Sequence, residues 1–157
     1  MNDAQHLVVF TLGDQRYALR LSAVERVIRV VEITPLPKAP AIVLGVLNVQ
    51  GRIIPVANLR RRFRLMERET NLGDQIILAR TSRRSVALMT DSVGGVIERS
   101  PGETIVAATI LPGMEFVEGV VKLEDGIILI HDLDTFLSLD EEQTLDAAMA
   151  NPGEALR

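Results

Sequence analysis

Gly45-Val46-Leu47-Asn48-Val49-Gln50-Gly51-Arg52-Ile53-Ile54-Pro55-Val56-Ala57-Asn58-Leu59 reads as strand, tight turn, strand. Apolar residues run on both sides of Gln50-Gly51, where glycine takes the positive φ that a hairpin turn needs. Asn58 stands where a helix N-cap would, just ahead of Leu59-Arg60-Arg61-Arg62-Phe63. The pattern returns without a gap at an offset of 74, as Gly119-Val120-Val121-Lys122-Leu123-Glu124-Asp125-Gly126-Ile127-Ile128-Leu129-Ile130-His131-Asp132-Leu133. Gly45/Gly119, Val46/Val120, Ile53/Ile127, Ile54/Ile128 and Leu59/Leu133 are identical, and Asn58 is matched by Asp132, another N-cap residue.

A second echo precedes the first. Residues 17–28 lie over residues 86–97 at an offset of 69, with Ala18/Ala87, Leu19/Leu88, Val24/Val93, Val27/Val96 and Ile28/Ile97 identical. Two echoes in the same order make a duplication with a unit of roughly 70 residues, too long for a solenoid repeat. The offset grows by five, so the connector over 98–118 is longer than its partner. Each unit offers about five short strands, and so small a sheet must curl to cover its own apolar face. The expected fold is all-β: two pseudo-repeated five-stranded barrels on a shared aliphatic seam, with short helical turns and a C-terminal helix. The expected organisation is one domain over 1–150, with intertwined subdomains at about 15–70 and 80–140 completed by the terminal segments, and a loose tail at 151–157.

Between these anchors, residues 7–12, 17–21, 27–31, 75–79 and 85–90 read as strands. Ser22 and Glu25 have capping-box spacing, predicting a helical turn at Ser22; Asp91 is the matching N-cap type. Pro35, Pro37 and Pro40 mark an extended connector, and Pro55 predicts an edge strand or a bulge. Ser138 and Glu141 form another capping-box pair, ahead of a helix over 141–149 with an apolar stripe of Leu139, Leu145, Ala148 and Met149.

Composition narrows the function. Of the 157 residues 47% are hydrophobic but only 3% aromatic, there is no cysteine, and the net charge is −4. Disulfides and thiolate metal sites are excluded, and no global basic field favours nucleic acid. The run Arg60, Arg61, Arg62, Arg64 and Arg68 reads as a solvated helix face ahead of a nucleic-acid site. The N-terminal residues lack the pattern of a signal peptide, and no apolar run approaches the roughly 20 residues needed to span a bilayer, which predicts a cytoplasmic protein without membrane insertion. His131 reads as a half-buried strand-end histidine, because no nucleophile elbow accompanies it. Asp132 and Asp134 read as cap residues ahead of metal ligands. Gly94-Gly95 lacks the rest of a phosphate loop and reads as a flexible turn. No catalysis, metal or cofactor is expected, and binding is the remaining function.

Taken together, Phe10-Thr11-Leu12-Gly13-Asp14 with Tyr17, then Gly45, Asn48, Gly51, Ile53, Pro55 and Asn58-Leu59-Arg60, then residues 86–93, then Gly119-Val120-Val121-Lys122-Leu123 with Gly126, resemble the CheW family of bacterial chemotaxis adaptors. The resemblance runs from Leu7 to Ala150. It implies SH3-like barrels and a non-catalytic scaffold. Its implied partners are the regulatory domain of a CheA-type histidine kinase and the cytoplasmic tips of methyl-accepting chemoreceptors, with self-association left open. The family's receptor-facing groove maps onto Val24, Val27, Gln50, Val93 and Val96. The family usually carries Arg where this chain has Gln50 and Asp where it has Asn58, and Arg52 is the nearest residue to take over an ionic contact. The rival readings are a coupling protein for pilus or gliding motility and, from another class, a small-barrel nucleic-acid binder using the basic run.

Overall fold

The computed structural model describes residues 5–100, 103–106 and 116–150. The first half of the chain contributes β1 (Gln5–Leu12), β2 (Gln15–Arg20), β3 (Val24–Arg29), β4 (Val43–Val49), β5 (Arg52–Ala57) and the one-turn helix α1 (Leu59–Arg62). The second half contributes β6 (Gln75–Arg80), β7 (Ser85–Thr90), β8 (Ser92–Arg99), β9 (Thr104–Val106), β10 (Val117–Leu123), β11 (Gly126–His131) and α2 (Leu139–Met149). The strands form a six-stranded sheet ordered β8-β1-β2-β11-β10-β9 and a five-stranded sheet ordered β3-β6-β7-β5-β4.

This order shows how the duplication folds. Each sheet takes the first two strands of one repeat and the remaining strands of the other, β8 to β11 in the six-stranded sheet and β3 to β5 in the five-stranded one. The exchange is made by a parallel pair in each sheet, β2 with β11 and β5 with β7. The two pairs match residue for residue: Ala18 lies opposite Ile130 and Ala87 opposite Val56, which are the 69- and 74-residue equivalents. The expected subdomain limits of about 15–70 and 80–140 therefore do not follow the pairing, since β3 to β7 (24–90) form one sheet. Both sheets curl back on themselves at equivalent places. Thr34 bridges Val46 in one, with N···O distances of 2.8 and 2.7 Å, and Ile105 lies opposite Val120 in the other.

Most strands bury both faces, as near-continuous aliphatic runs require. In β6, Ile76 and Leu78 face their own barrel with Leu47, Ile54 and Val56, while Ile77 and Ala79 face the seam. In the other sheet Leu7, Ala18, Val121, Ile128 and Ile130 fill the barrel, and Phe10, Leu12, Tyr17 and Leu19 enter the seam. The few aromatic rings are concentrated there. Phe10 stacks on Tyr17, Tyr17 on Phe63 at 4.5 Å, and Phe63 meets His131 edge-on at 5.0 Å. His131 is 2% exposed, so it is fully buried and not half-buried. Its place in the repeat is that of Ala57, another buried residue, which is why a strand-end position proves interior.

Several local expectations need correction. Pro55 lies in an inner strand, not at an edge, but it sits one residue before the parallel ladder with β7 begins at Val56, so its missing donor breaks no bond there. The Gln50-Gly51 turn has positive φ at both residues, 51° and 86°, and Asn48 Oδ1 accepts from Gly51 N at 2.8 Å. Asn58 caps α1 by accepting from Arg61 N. Ser22 makes no such cap: a 3-10 turn spans Leu21–Ala23 instead, and Glu25 is drawn elsewhere. Asp91 starts no helix either. Ser138 and Glu141 do form the capping box of α2, which begins two residues earlier than expected and leaves Leu139 61% exposed while Leu145 and Ala148 enter the seam. The expected tail at 151–157 lies outside the described residues.

Three cations of the basic run, Arg60, Arg62 and Arg68, are spent within the molecule. Arg60 and Arg68 both reach Asp91 Oδ1, at 2.5 and 2.6 Å, Arg68 also binds both oxygens of Asp74, and Gly13 N donates to Asp91 Oδ2. Arg62 pairs with Glu141 at 2.5 Å, and its guanidinium lies 4.8 Å from the Phe116 ring centre. The Arg60 and Arg62 side chains are only 15% and 16% exposed and are held by carboxylates, while Arg61 and Arg64 remain exposed, so the run is not one continuous solvated row. The cations fasten α1 to the second repeat: to the β7–β8 corner through Asp91 and to α2 through Glu141.

Candidate functional site

β3 and β8 are the terminal strands of their sheets and equivalent elements of the two repeats. Each carries a bulge at the same place. On β3, Val24 lies opposite Ala79 and Arg26 opposite Leu78, so Glu25 is the extra residue. On β8, Val93 lies opposite Phe10 and Gly95 opposite Val9, so Gly94 is the extra residue. Bulges shift the side-chain alternation, and here they bring two valines of each strand to the same face. Val24 and Val27 share the face of Ala79 and Ile77, which point into the seam. Val93 shares the face of Phe10, which does likewise, and Val96, opposite Val8, returns to that face beyond the bulge.

The four valines thus occupy the seam-facing side of two sheet edges. Val24 and Val93 pack against the common core, whereas Val27 and Val96 are 37% and 54% exposed. One side chain ties the edges together. Gln75 lies opposite Arg29 on β3, and its Oε1 accepts from Val93 N on β8 at 2.8 Å. The structure therefore places Val24, Val27, Val93 and Val96 on the seam-facing sides of two edges linked by Gln75. Gln75 was missed in the sequence because the link is made only by tertiary packing.

Gln50 and Arg52 approach the other end of β3. Gln50 is exposed at the hairpin tip. Arg52 is not a free cation: Nη1 lies 3.3 Å from Glu25 Oε2, Nη2 donates to Ser85 Oγ at 2.7 Å, and Ser85 Oγ donates to Glu25 Oε1 at 2.7 Å. The Ser85 hydrogen bond and the Arg52 guanidinium hold the Glu25 carboxyl below the usual carboxylate range. This triangle braces the β3 bulge against the hairpin. The exposed cation on the Val27 face of β3 is Arg29, two residues from Val27 and without an acidic partner among the described residues.

Among the described residues no cluster of three or more His, Asp or Glu side chains is placed to hold a metal ion, and no helix is long and apolar enough to cross a membrane. His131 is walled in by Phe63 and Phe136, with neither ring nitrogen hydrogen-bonded and its pKa pushed down to about 3 by burial and by Arg62. Such an imidazole serves no substrate.

Comparison with known proteins gives a consistent result. A family model described as the CheW-like domain matches residues 6–141. The chain is 29% identical over 152 residues to the chemotaxis protein CheW of Treponema pallidum, covering 92% of this chain and 89% of that protein. It is 31% identical over 128 residues to the chemotaxis protein CheW of Thermotoga maritima, covering 82% and 84%. Among solved structures, the scaffolding protein TtCheW from Thermoanaerobacter tengcongensis superposes with a TM-score of 0.80 at 28% identity, over 88% of this chain and 96% of that one.

Proposed function

The chain belongs to the CheW-like domain family, whose members are non-catalytic scaffolding adaptors that couple chemoreceptors to CheA, and from that premise we propose how it engages its partners. It binds the cytoplasmic tip of a methyl-accepting chemoreceptor in the groove between β3 and β8, working in the cytoplasm. Another face meets the regulatory domain of a CheA-type histidine kinase. Two half-exposed valines on bulged edges, joined across the seam by Gln75, support the groove assignment. A bulge interrupts the ladder of each edge and disfavours strand addition, while the seam-facing valines offer an apolar strip suited to a helix. Gln50 and Arg52 stand at the mouth of the groove beside the β3 bulge, with Arg52 acting through Glu25 as a brace.

Val27→Asp tests the reading. Val27 is 37% exposed, so a carboxylate there stays hydrated in the free protein and folding survives. Against an apolar partner the same charge must be desolvated, costing roughly 2 kcal/mol or more. Thermal melting should be unchanged, while capture of a receptor cytoplasmic fragment encoded beside this gene should be lost. A variant that fails to fold would make Val27 a core residue and remove the groove.

A further inference from the structure

α2 is fastened to the seam differently from the strands. Of its eleven residues only Glu142, Leu145 and Ala148 are buried, with Met149 partly so, and Leu139 is exposed. An inner strand commits far more: β6 buries Ile76, Ile77, Leu78 and Ala79 in succession. α2 also stands outside the sheet ladders, and among the described residues its backbone bonds only within itself and to its cap, Ser138. Its counterpart at the 74-residue offset, 65–75, leads into β6 and is clamped by Arg68 to Asp74 and Asp91. α2 comes after the last strand of the sheets, so lifting it breaks no ladder bond.

What holds α2 is mostly charge. Glu141 pairs with Arg62 at 2.5 Å, Glu142 with Arg84 at 3.0 Å, and Asp146 with the same Arg84 nitrogen. Arg62 belongs to α1 of the first repeat and Arg84 to the β6–β7 turn of the second. The Arg84 and Glu142 side chains are 15% and 9% exposed, so both ions have given up most of their water. A buried pair regains little beyond that loss, and Arg62 Nε is left buried without a hydrogen-bond partner. An eleven-residue helix does not persist in water by itself. Two buried apolar side chains and three ion pairs are thus a weak hold on an element that no ladder retains.

We propose that α2 is a releasable latch. It leaves the seam as one unit while both sheets stay intact, and it uncovers an apolar floor between Arg62 and Arg84, one cation from each repeat. That floor fits a helix with carboxylates beside an apolar stripe, and in the closed state α2 itself is the occupant.

The test is native-state hydrogen exchange on the full chain at neutral pH, read amide by amide by NMR. The amides of residues 143–148 should share one protection factor, at least about a hundredfold below those of β6 and β7. Ile76→Val, in the barrel interior, should lower protection of β6 and β7 roughly fivefold and leave α2 at its wild-type value, because the open latch keeps Ile76 packed. Arg84→Leu should lower protection of α2 by about tenfold or more, by removing the partner of a buried carboxylate. Asp146→Asn, at a side chain 62% exposed, should do so by a smaller factor in a protein that keeps its fold. If α2 and β6 are equally protected, or Ile76→Val weakens both by the same factor, α2 leaves only with global unfolding and the latch is refuted. Protection that falls steadily from 143 to 148 would mean fraying from one end and would refute release as a unit. Unchanged protection of α2 in either Arg84→Leu or Asp146→Asn would refute the charge clasp.

Discussion

Acidification should destabilise this protein through His131. Burial first, and the nearby Arg62 guanidinium second, lower its folded-state pKa from the ordinary 6.5 to about 3. The folded state therefore keeps the ring neutral, while the unfolded chain takes up a proton as pH drops below about 6.5. Stability is whole above that value and falls with pH until about 3, where the folded form protonates too. At about 1.36 kcal/mol per pH unit, lowering the pH to 5 costs roughly 2 kcal/mol. That corresponds to a fall in melting temperature of roughly 4–8 °C for a domain of this size. Urea unfolding at pH 7.5 and 5, on wild type and His131→Leu, measures it. Asp74, Asp91 and Glu141, whose pKa values are lowered, lose their stabilisation as pH falls through those depressed values, but they do so in both proteins and cancel in the comparison. The leucine variant should lose roughly 2 kcal/mol less than wild type between the two pH values. An identical loss in both would show that His131 is hydrated or paired in solution.

Gly45→Ala should destabilise the fold by about 3 kcal/mol in urea titrations, because its Cβ would lie 2.3 Å from Thr34 O, at the bridge that closes one barrel. Asp91→Ala should cost about 2 kcal/mol by the same measurement, leaving Arg60 and Arg68 without their shared partner, against under about 1 kcal/mol for Arg52→Ala at the exposed brace. Electrophoretic retardation with duplex DNA at moderate salt should show no retention, since Arg60, Arg62 and Arg68 are internally paired.

The duplication was legible because identical residues recur where backbone geometry is demanding. Asn58 caps α1, and Gly51 closes the hairpin. Val24 and Val27 recur as Val93 and Val96 because both bulged edges must turn two valines the same way. The exchange of strands between repeats was not legible. Strand periodicity reports which faces are buried, not which partner lies alongside, and β5 reads the same beside β7 as beside β2. The basic run misled for a related reason: of five arginines within nine positions, Arg60, Arg62 and Arg68 look solvated until their acceptors, Asp91 and Glu141, arrive from the second repeat. Ser22 and Asp91 have cap chemistry, but the chain gives them strand neighbours. Asp91 serves Gly13, Arg60 and Arg68 instead, and nothing local announces it.

Strand exchange also bears on how an adaptor of this kind passes strain. Neither barrel can be assembled from one repeat, so neither can loosen alone. A force on β8 acts through Gln75 on β6, next to the edge of the other sheet, and through Asp91, just before β8, on Arg60 at the start of α1. Arg62, on the same turn, holds Glu141 of α2. The groove edge and the C-terminal helix are therefore joined by consecutive contacts of 2.5–2.8 Å at Gln75, Arg60 and Arg62, carried on strands shared by both barrels. A sequence that had kept its repeats in separate barrels would have needed an interface of docked surfaces to do this. Here the coupling is covalent backbone and sheet ladder, with the aromatic line from Phe10 to His131 filling the space between.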